Sequence, residues 1–390
     1  MSSDSDPPEY APITARGLQR TFPEYQDQLK HAETVPARDG SYVDPHDVLR
    51  PELADPFSET VGDLFTHQAA ALRHLAEDDN VCVATSTSSG KTYVYALQVV
   101  RNHLADSDST ALLVYPTKAL SRDQEQELNE FFGDLGLDIS VRVYDGDTPQ
   151  DRRKHIRETA DVIITNFVGV NVYLGHHTRW HSFLANCDLL AIDESHTYTG
   201  VHGMHVAWTI RRLRRILDHY ESDPQLVCTS ATIGNPAEHS TRLTGKSFTV
   251  VDEDGSPRGK RDIAFWKPPV EEEALDPDAD FEDFQEAQTN PAREASAILA
   301  HLGLNGIQTL MFTRSRKNAE LGAKYAGSAA SEHPESGYLS VEPYHAGLGK
   351  ETRRGTEYQF KSEQLDGVTS TNALELGIDI GSMDATILTG

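Results

Sequence analysis

The chain has 390 residues, of which 25% are charged, with 35 lysines and arginines against 61 aspartates and glutamates. The net charge of −26 excludes whole-molecule attraction to nucleic-acid phosphates, so any contact with nucleic acid must be a local basic patch. A large acidic excess is one way in which proteins adapt to high salt, and we expect a halophilic host.

Targeting signals, membrane spans and disulfides are not expected. The first residues, MSSDSDPPEY, are acidic and polar, unlike a signal peptide. No apolar run approaches the ~20 residues needed to cross a bilayer. The three cysteines, Cys82, Cys187 and Cys228, lie in apolar runs and are expected to be buried small hydrophobic residues. We therefore expect a cytoplasmic protein, active as a monomer.

Residues 1–60 show weak periodicity and are expected to form an N-terminal extension, whereas residues 61–247 alternate between short apolar runs and helix-like segments. The runs are VCVAT (81–85), ALLVYP (111–116), ISVRVYDG (139–146), DVIITN (161–166), LLAID (189–193) and QLVCTSAT (225–232). The segment after the first run places Val94, Leu97, Val100 and Leu104 on one helix face. This alternation predicts an α/β fold with a parallel sheet covered by helices on both faces.

Residues 248–290 are predicted to form a linker. FTVVDEDGSPRGKRDIAFW (248–266) has the pattern of two strands around an Asp-Gly turn, and an acidic, solvated tract follows it. The alternation resumes over residues 291–390, with IQTLMFT (307–313), SVEPYHAG (340–347), DGVTSTNA (366–373) and DATILTG (384–390). We predict a second α/β domain that is incomplete, because the chain stops on a predicted strand.

ATSTSSGKT (84–92) lies between the first apolar run and a helix. Small residues let backbone N–H groups surround a phosphate, and the following helix directs its positive end at the same place. This pattern predicts a phosphate-binding loop, although Thr85 stands where the first glycine is usual. Lys91 would contact the β- and γ-phosphates of ATP, and the Thr92 hydroxyl would ligate Mg²⁺. The remaining nucleotide contacts would come from Thr87, Ser88, Ser89 and Gly90.

Two carboxylates end a very apolar run in LLAIDESH. Asp193 suits holding Mg²⁺, and Glu194 suits polarising the attacking water. An acidic strand end that faces solvent is the alternative interpretation. In TSAT (229–232), the hydroxyls of Ser230 and Thr232 are candidates for coupling this acidic site to the neighbouring domain.

FTHQ (65–68) precedes the loop and is a candidate adenine site. The Gln68 amide offers both a donor and an acceptor, which match an adenine edge, and Phe65 has a ring that can stack on a base. A helix N-terminus capped by Thr66 is compatible with the same residues.

With these motifs in place, the chain after about residue 60 resembles a superfamily 2 helicase of the DEAD/DEAH type. The motifs that carry the resemblance are FTHQ, TSTSSGKT, YPTKAL, YDGDTP, ITNF, DESH, TSAT, FTRSRK, YHAG and STNALELGIDIG, in the family's order. The run DESHTYTGVHGMHVAWTIRRLRRIL resembles the branch of the mitomycin-repair-factor and fungal RecQ-type helicases. The resemblance implies two RecA-like domains in tandem, ATP and Mg²⁺ as ligands, 3′–5′ movement along DNA, and a role in DNA repair.

The resemblance also implies contacts that the residue types alone do not indicate. It assigns Gly377 and Asp379 to the nucleotide, from the second domain. It assigns the following to the nucleic-acid strand: Pro116, Thr117, Lys118, Thr165, Asn166, Thr313 and Arg314. Lys118 and Arg122 form a local basic cluster of the kind that tracks phosphates without reading bases. The basic run RRLRRIL (211–217) is interpreted as a solvated helix face.

The family's arginine-rich last motif would follow DATILTG, and the sequence stops at Gly390. Such arginines are typically worth ~10³–10⁵ in rate, so we expect a fragment that binds ATP and nucleic acid but hydrolyses poorly. An ATP-gated nucleic-acid clamp is the main alternative to an active helicase. A P-loop kinase or small-molecule ATPase is a weaker one, since it leaves TSAT and the second domain unexplained.

Overall fold

A computed structural model describes residues 14–269, 290–334, 337–371 and 383–389. The chain forms two compact units, one made of residues 38–258 and the other of residues 1–37 with 259–390. The chain therefore passes between these two units at residues 37/38 and 258/259. No helix in the described ranges combines the length and apolar character that a membrane crossing requires.

The described strands begin and end as follows: β1 (Leu29–Val35), β2 (Tyr42–Val43), β3 (Leu64–Phe65), β4 (Val81–Ala84), β5 (Thr110–Val114), β6 (Val141–Val143), β7 (Val162–Thr165), β8 (Cys187–Ile192), β9 (Gln225–Ser230), β10 (Thr249–Val251), β11 (Arg261–Trp266), β12 (Thr309–Phe312), β13 (Val341–Tyr344), β14 (Gly367–Ser370) and β15 (Ala385–Leu388). Every apolar run that was predicted as a strand overlaps one of them.

The described α-helices are α1 (Leu18–Thr21), α2 (Pro51–Thr60), α3 (Thr66–Ala76), α4 (Thr92–Ala105), α5 (Lys118–Asp134), α6 (Gln150–Thr159), α7 (Phe167–Tyr173), α8 (His181–Ala185), α9 (Gly200–His219), α10 (Pro236–Thr244), α11 (Pro291–Leu304), α12 (Arg316–Glu332) and α13 (Lys350–Lys361). In α4, Val94, Leu97 and Val100 are buried as predicted, but Leu104 in the last turn is 46% exposed.

The unit of residues 38–258 is built on a seven-stranded sheet in the order β10-β4-β9-β8-β5-β7-β6, with each neighbouring pair parallel. Successive residues of a strand face opposite sides, so Ala111 and Leu113 enter one hydrophobic core while Leu112 and Val114 enter the other. Burial on both faces explains why these strands are almost continuously apolar. The expected parallel α/β sheet is confirmed.

The order of this sheet determines where the functional loops lie. The central strands β4, β9 and β8 are neighbours, and the three predicted loops follow directly after them. Because carboxyl ends of parallel strands meet at the same end of a sheet, the phosphate loop, TSAT and the acid pair lie side by side. The cysteines are in these strands, and all three are buried as expected.

The second unit contains a four-stranded parallel sheet in the order β13-β14-β12-β15. The segment before residue 38 belongs to this unit, because Leu18 and Phe22 pack against Ile298 and Leu302 of α11. The two sheets match the expected tandem RecA-like architecture.

The predicted hairpin over residues 248–266 is wrong. Both strands exist, but β10 pairs in parallel with β4, while β11 pairs antiparallel with β1. The Asp-Gly signal is local, whereas both strands pair with partners far away in the chain. Residues 252–258 therefore connect one sheet to another strand pair instead of turning between paired strands.

Candidate nucleotide site

The phosphate loop joins β4 to α4, and Lys91 is buried within it. The Lys91 ammonium donates to the carbonyls of Ser86, at 2.7 Å, and Thr85, at 3.2 Å. Burial lowers the pKa of Lys91, and the negative charges of Glu194 and Asp193 partly oppose this shift. The lysine and the acid pair are therefore within electrostatic reach of one another.

The loop's backbone conformation explains its small residues. Ser88 has φ of +58° and Gly90 of +70°, a region that side chains rarely adopt. A Cβ atom at Gly90 would lie 2.5 Å from Nε2 of Gln68, so a larger residue would displace the Gln68 amide from its present position. Thr87 and Ser88 are exposed, while the Ser89 hydroxyl is buried and hydrogen-bonds the Thr85 hydroxyl at 2.7 Å.

Gln68 uses both ends of its amide within the protein. Oε1 accepts from the N–H of Phe65 at 2.8 Å, and Nε2 donates to the carbonyl of Gly90 at 2.8 Å. The first bond satisfies the N-terminus of α3, so Gln68, and not Thr66, supplies the cap. The Phe65 ring stacks on the His67 ring at 5.7 Å between centroids. Gln68 thus joins the candidate adenine site to the phosphate loop, and base recognition would require it to exchange these partners.

Asp193 follows β8 and is fixed by Thr229 of β9, whose hydroxyl donates to Oδ1 and also accepts from the Glu194 N–H at 3.2 Å. Burial and the neighbouring Glu194 raise the pKa of Asp193 to about 7, against the opposing effect of Thr229 and Lys91. The raised pKa means that the fold holds a carboxylate where ionisation is unfavourable without a cation, as at many functional sites.

Glu194 has a left-handed backbone, with φ of +48°, and its carboxylate oxygen Oε2 is buried without a hydrogen-bond partner among the described residues. His196 Nδ1 lies 3.2 Å from this oxygen but accepts the Ala231 N–H at 3.1 Å, so it carries no proton to donate. Burial lowers the pKa of His196, which favours the neutral ring. An unsatisfied buried acceptor is suited to hold a water molecule.

The donors near Asp193 fit Mg²⁺, which prefers oxygen ligands. The Thr92 hydroxyl has only long contacts, to Tyr95 at 3.3 Å and Gln124 at 3.4 Å, and is available to a cation. Burial raises the pKa of Tyr95, and the negative charge of Asp193 adds to this rise. Thr92 and Asp193 together form a suitable donor set for the ion.

Contacts between the acid motif and TSAT come from Thr229 and the Ala231 amide. Ser230 is buried, and its hydroxyl donates to the carbonyl of Ala231 at 2.8 Å. Thr232 is exposed. The coupling role predicted for Ser230 and Thr232 is not tested by these contacts.

The strand-contact candidates of the first unit lie after β5 and β7. Pro116 and Thr117 lead into α5, while Thr165 ends β7 and Asn166 caps α7, accepting the Gly169 N–H at 2.8 Å.

The basic cluster next to these residues, Lys118 and Arg122, forms ion pairs with a single carboxylate. Lys118 and Arg122 each lie 3.0 Å from Asp147, one on each of its carboxylate oxygens. The hydrogen bond from Lys118, with the charges of both cations, lowers the pKa of Asp147. The predicted cluster is therefore partly neutralised by a residue of the YDGDTP motif.

In the second unit, Thr313 is buried, and its hydroxyl donates to the carbonyls of Ser370 and Ser315 at 3.2 Å. Arg314 is exposed. Gly377 and Asp379 lie outside the described residues, so their predicted contact with the nucleotide stays a prediction.

Sequence reasoning missed four residues of the site: His67, Thr229, His196 and Asp254. Thr229 stood inside a motif already singled out, and its place beside two acids could have signalled its role. Asp254 carried no signal, because it meets the loop only through the non-local pairing of β10 with β4.

A lysine-containing phosphate loop after β4 and an acid pair after β8, with β9 between these two strands of one parallel sheet, define a P-loop nucleotide-binding domain. Comparison with known families identifies which kind. Residues 65–239 match the DEAD/DEAH box helicases, and residues 294–390 match the helicase conserved C-terminal domain. The chain belongs to the DEAD/DEAH box helicase family.

Individual relatives agree. The chain is 38% identical to the uncharacterized ATP-dependent helicase YprA of Bacillus subtilis, over 85% of this chain and 43% of the relative. It is 35% identical to the ATP-dependent helicase HRQ1 of Saccharomyces cerevisiae, over 94% of this chain and 34% of the relative. A structure of the helicase MrfA bound to DNA and AMPPNP superposes with a TM-score of 0.83 at 34% identity, covering 94% of this chain and 50% of MrfA. The chain thus spans half or less of the length of these relatives.

Proposed function

We propose that the chain is the motor part of an ATP-dependent helicase that uses Mg²⁺ and moves 3′ to 5′ along DNA. The observation that carries the proposal is the convergence of Lys91, Asp193 and Glu194 at one end of the first sheet. The similarity to ATP-dependent helicases supports hydrolysis over an ATP-gated clamp.

The chain's own groups have separate tasks in this reaction. Lys91 exchanges its carbonyl partners for the β- and γ-phosphates, and the loop amides hold the phosphate chain. Mg²⁺, when held by Thr92 and Asp193, neutralises charge on the phosphates. Glu194 orients the attacking water through its unpaired oxygen, while Thr229 keeps both acids in place.

DNA is proposed as the track because MrfA, a relative of known structure, is bound to DNA. Lys118 and Arg122 are the cations next to the proposed strand-contact residues, and they suit a phosphate backbone. A specific base contact is not part of the proposal, because stepping along a strand requires tolerance of sequence.

The test is the substitution Lys91→Ala, with Lys154→Ala as the control, since Lys154 is exposed on the same unit. ATP hydrolysis stimulated by single-stranded DNA should fall about a thousandfold or more in the first variant, as expected for loss of a cation on the transferring phosphoryl group. The control should match the parent protein.

Different substrates test which nucleic acid the protein uses and in which direction it moves. The parent protein should unwind duplexes with a 3′ tail and leave those with a 5′ tail intact. Equal hydrolysis by Lys91→Ala and its control would refute the nucleotide site. ATP-dependent DNA binding without any turnover would establish the clamp instead, and stimulation by RNA alone would replace the proposed track.

A further inference from the structure

The segment after β10, residues 252–258, lies against the phosphate loop and hydrogen-bonds its first turn. Asp254 Oδ2 accepts from the Ser86 hydroxyl at 2.5 Å and from the Ser86 N–H at 3.3 Å. Its other oxygen accepts from the N–H of Ser256 at 2.9 Å and from its hydroxyl at 2.6 Å. Burial alone would raise the pKa of Asp254, but these hydrogen bonds outweigh burial and lower it, so the carboxylate is ionised.

His67 links the same segment to Ser89, near the other end of the phosphate loop, through two hydrogen bonds. Its Nε2 lies 2.9 Å from the carbonyl of Ser89, and its Nδ1 lies 3.2 Å from the N–H of Gly255. A carbonyl can only accept and an amide N–H can only donate, so the proton is on Nε2 and Nδ1 is the acceptor. Both Ser86 and Ser89 are thereby bonded, directly or through His67, to two consecutive residues, Asp254 and Gly255.

The same segment is paired with the chain's other crossing between the compact units. The Arg38 N–H donates to the carbonyl of Arg258 at 2.9 Å, and the Arg258 N–H donates to that of Arg38 at 2.8 Å. We call this backbone pair the clasp. The Arg38 guanidinium also donates to the carbonyl of Ser256 at 2.7 Å and lies 3.3 Å from Asp254.

The clasp lies directly at the unit boundaries. Residues 38 and 258 are the first and last of their unit, so both passages of the chain into the other unit start there. A path of three residues thus leads from the loop to both passages: Ser86 hydrogen-bonds Asp254, and Asp254 forms an ion pair with Arg38.

We expect nucleotide binding to affect this path at Ser86, because Lys91 contacts this residue. Lys91 donates to its carbonyl at 2.7 Å, while Asp254 accepts from its amide and hydroxyl on the other side. A lysine that turns to the phosphates leaves the Ser86 carbonyl without its cation. Because Ser86 is bonded on both sides, a change at the carbonyl is passed to the carboxylate of Asp254.

We propose that Asp254 is a positioning residue that transmits nucleotide occupancy of the phosphate loop to the Arg38–Arg258 clasp. The proposal rests on the proposed function, because the ligand of the loop is taken to be ATP. Its role is separate from the chemistry of phosphoryl transfer, since Asp254 acts through Ser86 and contacts no reacting atom.

The experiment measures backbone hydrogen exchange of the full chain with and without AMPPNP and Mg²⁺. Nucleotide should protect residues 84–92 and change exchange about tenfold at the amides of Arg38, Ser41 and Arg258, the equivalent of one hydrogen bond to a charged group. The Ser41 amide is included because it donates to the Gly255 carbonyl at 2.8 Å. In Asp254→Ala the loop should still be protected, while the clasp amides no longer respond.

The matched control is Glu253→Ala, which removes the same charge from an exposed neighbour and should behave as the parent protein. If Asp254→Ala does not fold, Asp254→Asn and the parent protein decide the question. Protection of the loop without any change at the clasp overturns the proposal and leaves the nucleotide site intact. A clasp response that persists in the Asp254 variants overturns it as well, and absence of loop protection in the parent overturns both proposals.

Discussion

Replacing Asp193 with asparagine should stabilise the protein when Mg²⁺ and nucleotide are absent. The pKa of this carboxyl is raised from 3.8 to about 7, with burial as the main cause. One pKa unit corresponds to about 1.4 kcal/mol, so ionised Asp193 costs up to about 4 kcal/mol. The side chain is partly exposed, and solvent screening reduces the expected cost to about 2 kcal/mol. Asparagine removes the charge and keeps an oxygen that accepts from Thr229.

The pH dependence determines the sign of the stability difference between Asp193→Asn and the parent protein. Because the folded pKa is above the unfolded one, the folded state favours the neutral acid, and the parent protein loses stability as the pH rises from 3.8 towards 7. Asp193→Asn should therefore exceed the parent by about 2 kcal/mol at pH 8, and the difference should shrink as the pH falls towards 3.8.

The assay is urea unfolding in EDTA at several pH values, followed through hydrogen exchange of the β8 and β9 amides so that the first unit is observed by itself. Asp188→Asn is the control, because Asp188 is an exposed acid of the same strand, and a surface change of this kind should stay within about 0.5 kcal/mol. A loss of stability in Asp193→Asn at pH 8, equal to its loss at low pH, would refute the reasoning.

Two further predictions concern the loop and the basic cluster. Gly90→Ala should abolish measurable binding of a fluorescent ATP analogue, because φ is +70° and the new Cβ would collide with Nε2 of Gln68. Gly133→Ala is the control, because Gly133 lies in α5 with open space around it. This variant should bind the analogue normally and gain up to about 1 kcal/mol of stability. Asp147→Ala should free Lys118 and Arg122 from their ion pairs, so the affinity for DNA should rise. The slope of the logarithm of the DNA-binding constant against the logarithm of salt concentration should steepen by up to about two. An unchanged slope would contradict the assignment of these cations to the strand.

The sequence was sufficient for features whose signal is local. Strands buried on both faces are almost continuously apolar, so β4, β5, β7, β8 and β9 could be located, and their parallel order then brings Lys91 and Asp193 to the same end of the sheet. The resemblance to DEAD/DEAH helicases, carried by short motifs in order, gave the family correctly.

Features that depend on distant partners could not be predicted. The Asp-Gly pattern near residue 254 favoured a hairpin, but β10 and β11 have partners more than 160 residues away. The same pairing brings Asp254 to Ser86, and no periodicity in either segment indicates that contact. Leu104 followed the helical spacing of its neighbours, yet it lies where α4 ends and the core no longer covers it.

The position of β10 has a practical consequence for dividing the protein. A fragment that ends at residue 247 would keep every helicase motif of the first unit, but β4 would lose its outer partner and present unpaired N–H and C=O groups to other chains. Such a fragment should aggregate on expression. One covering residues 38–258 retains that strand and should remain soluble.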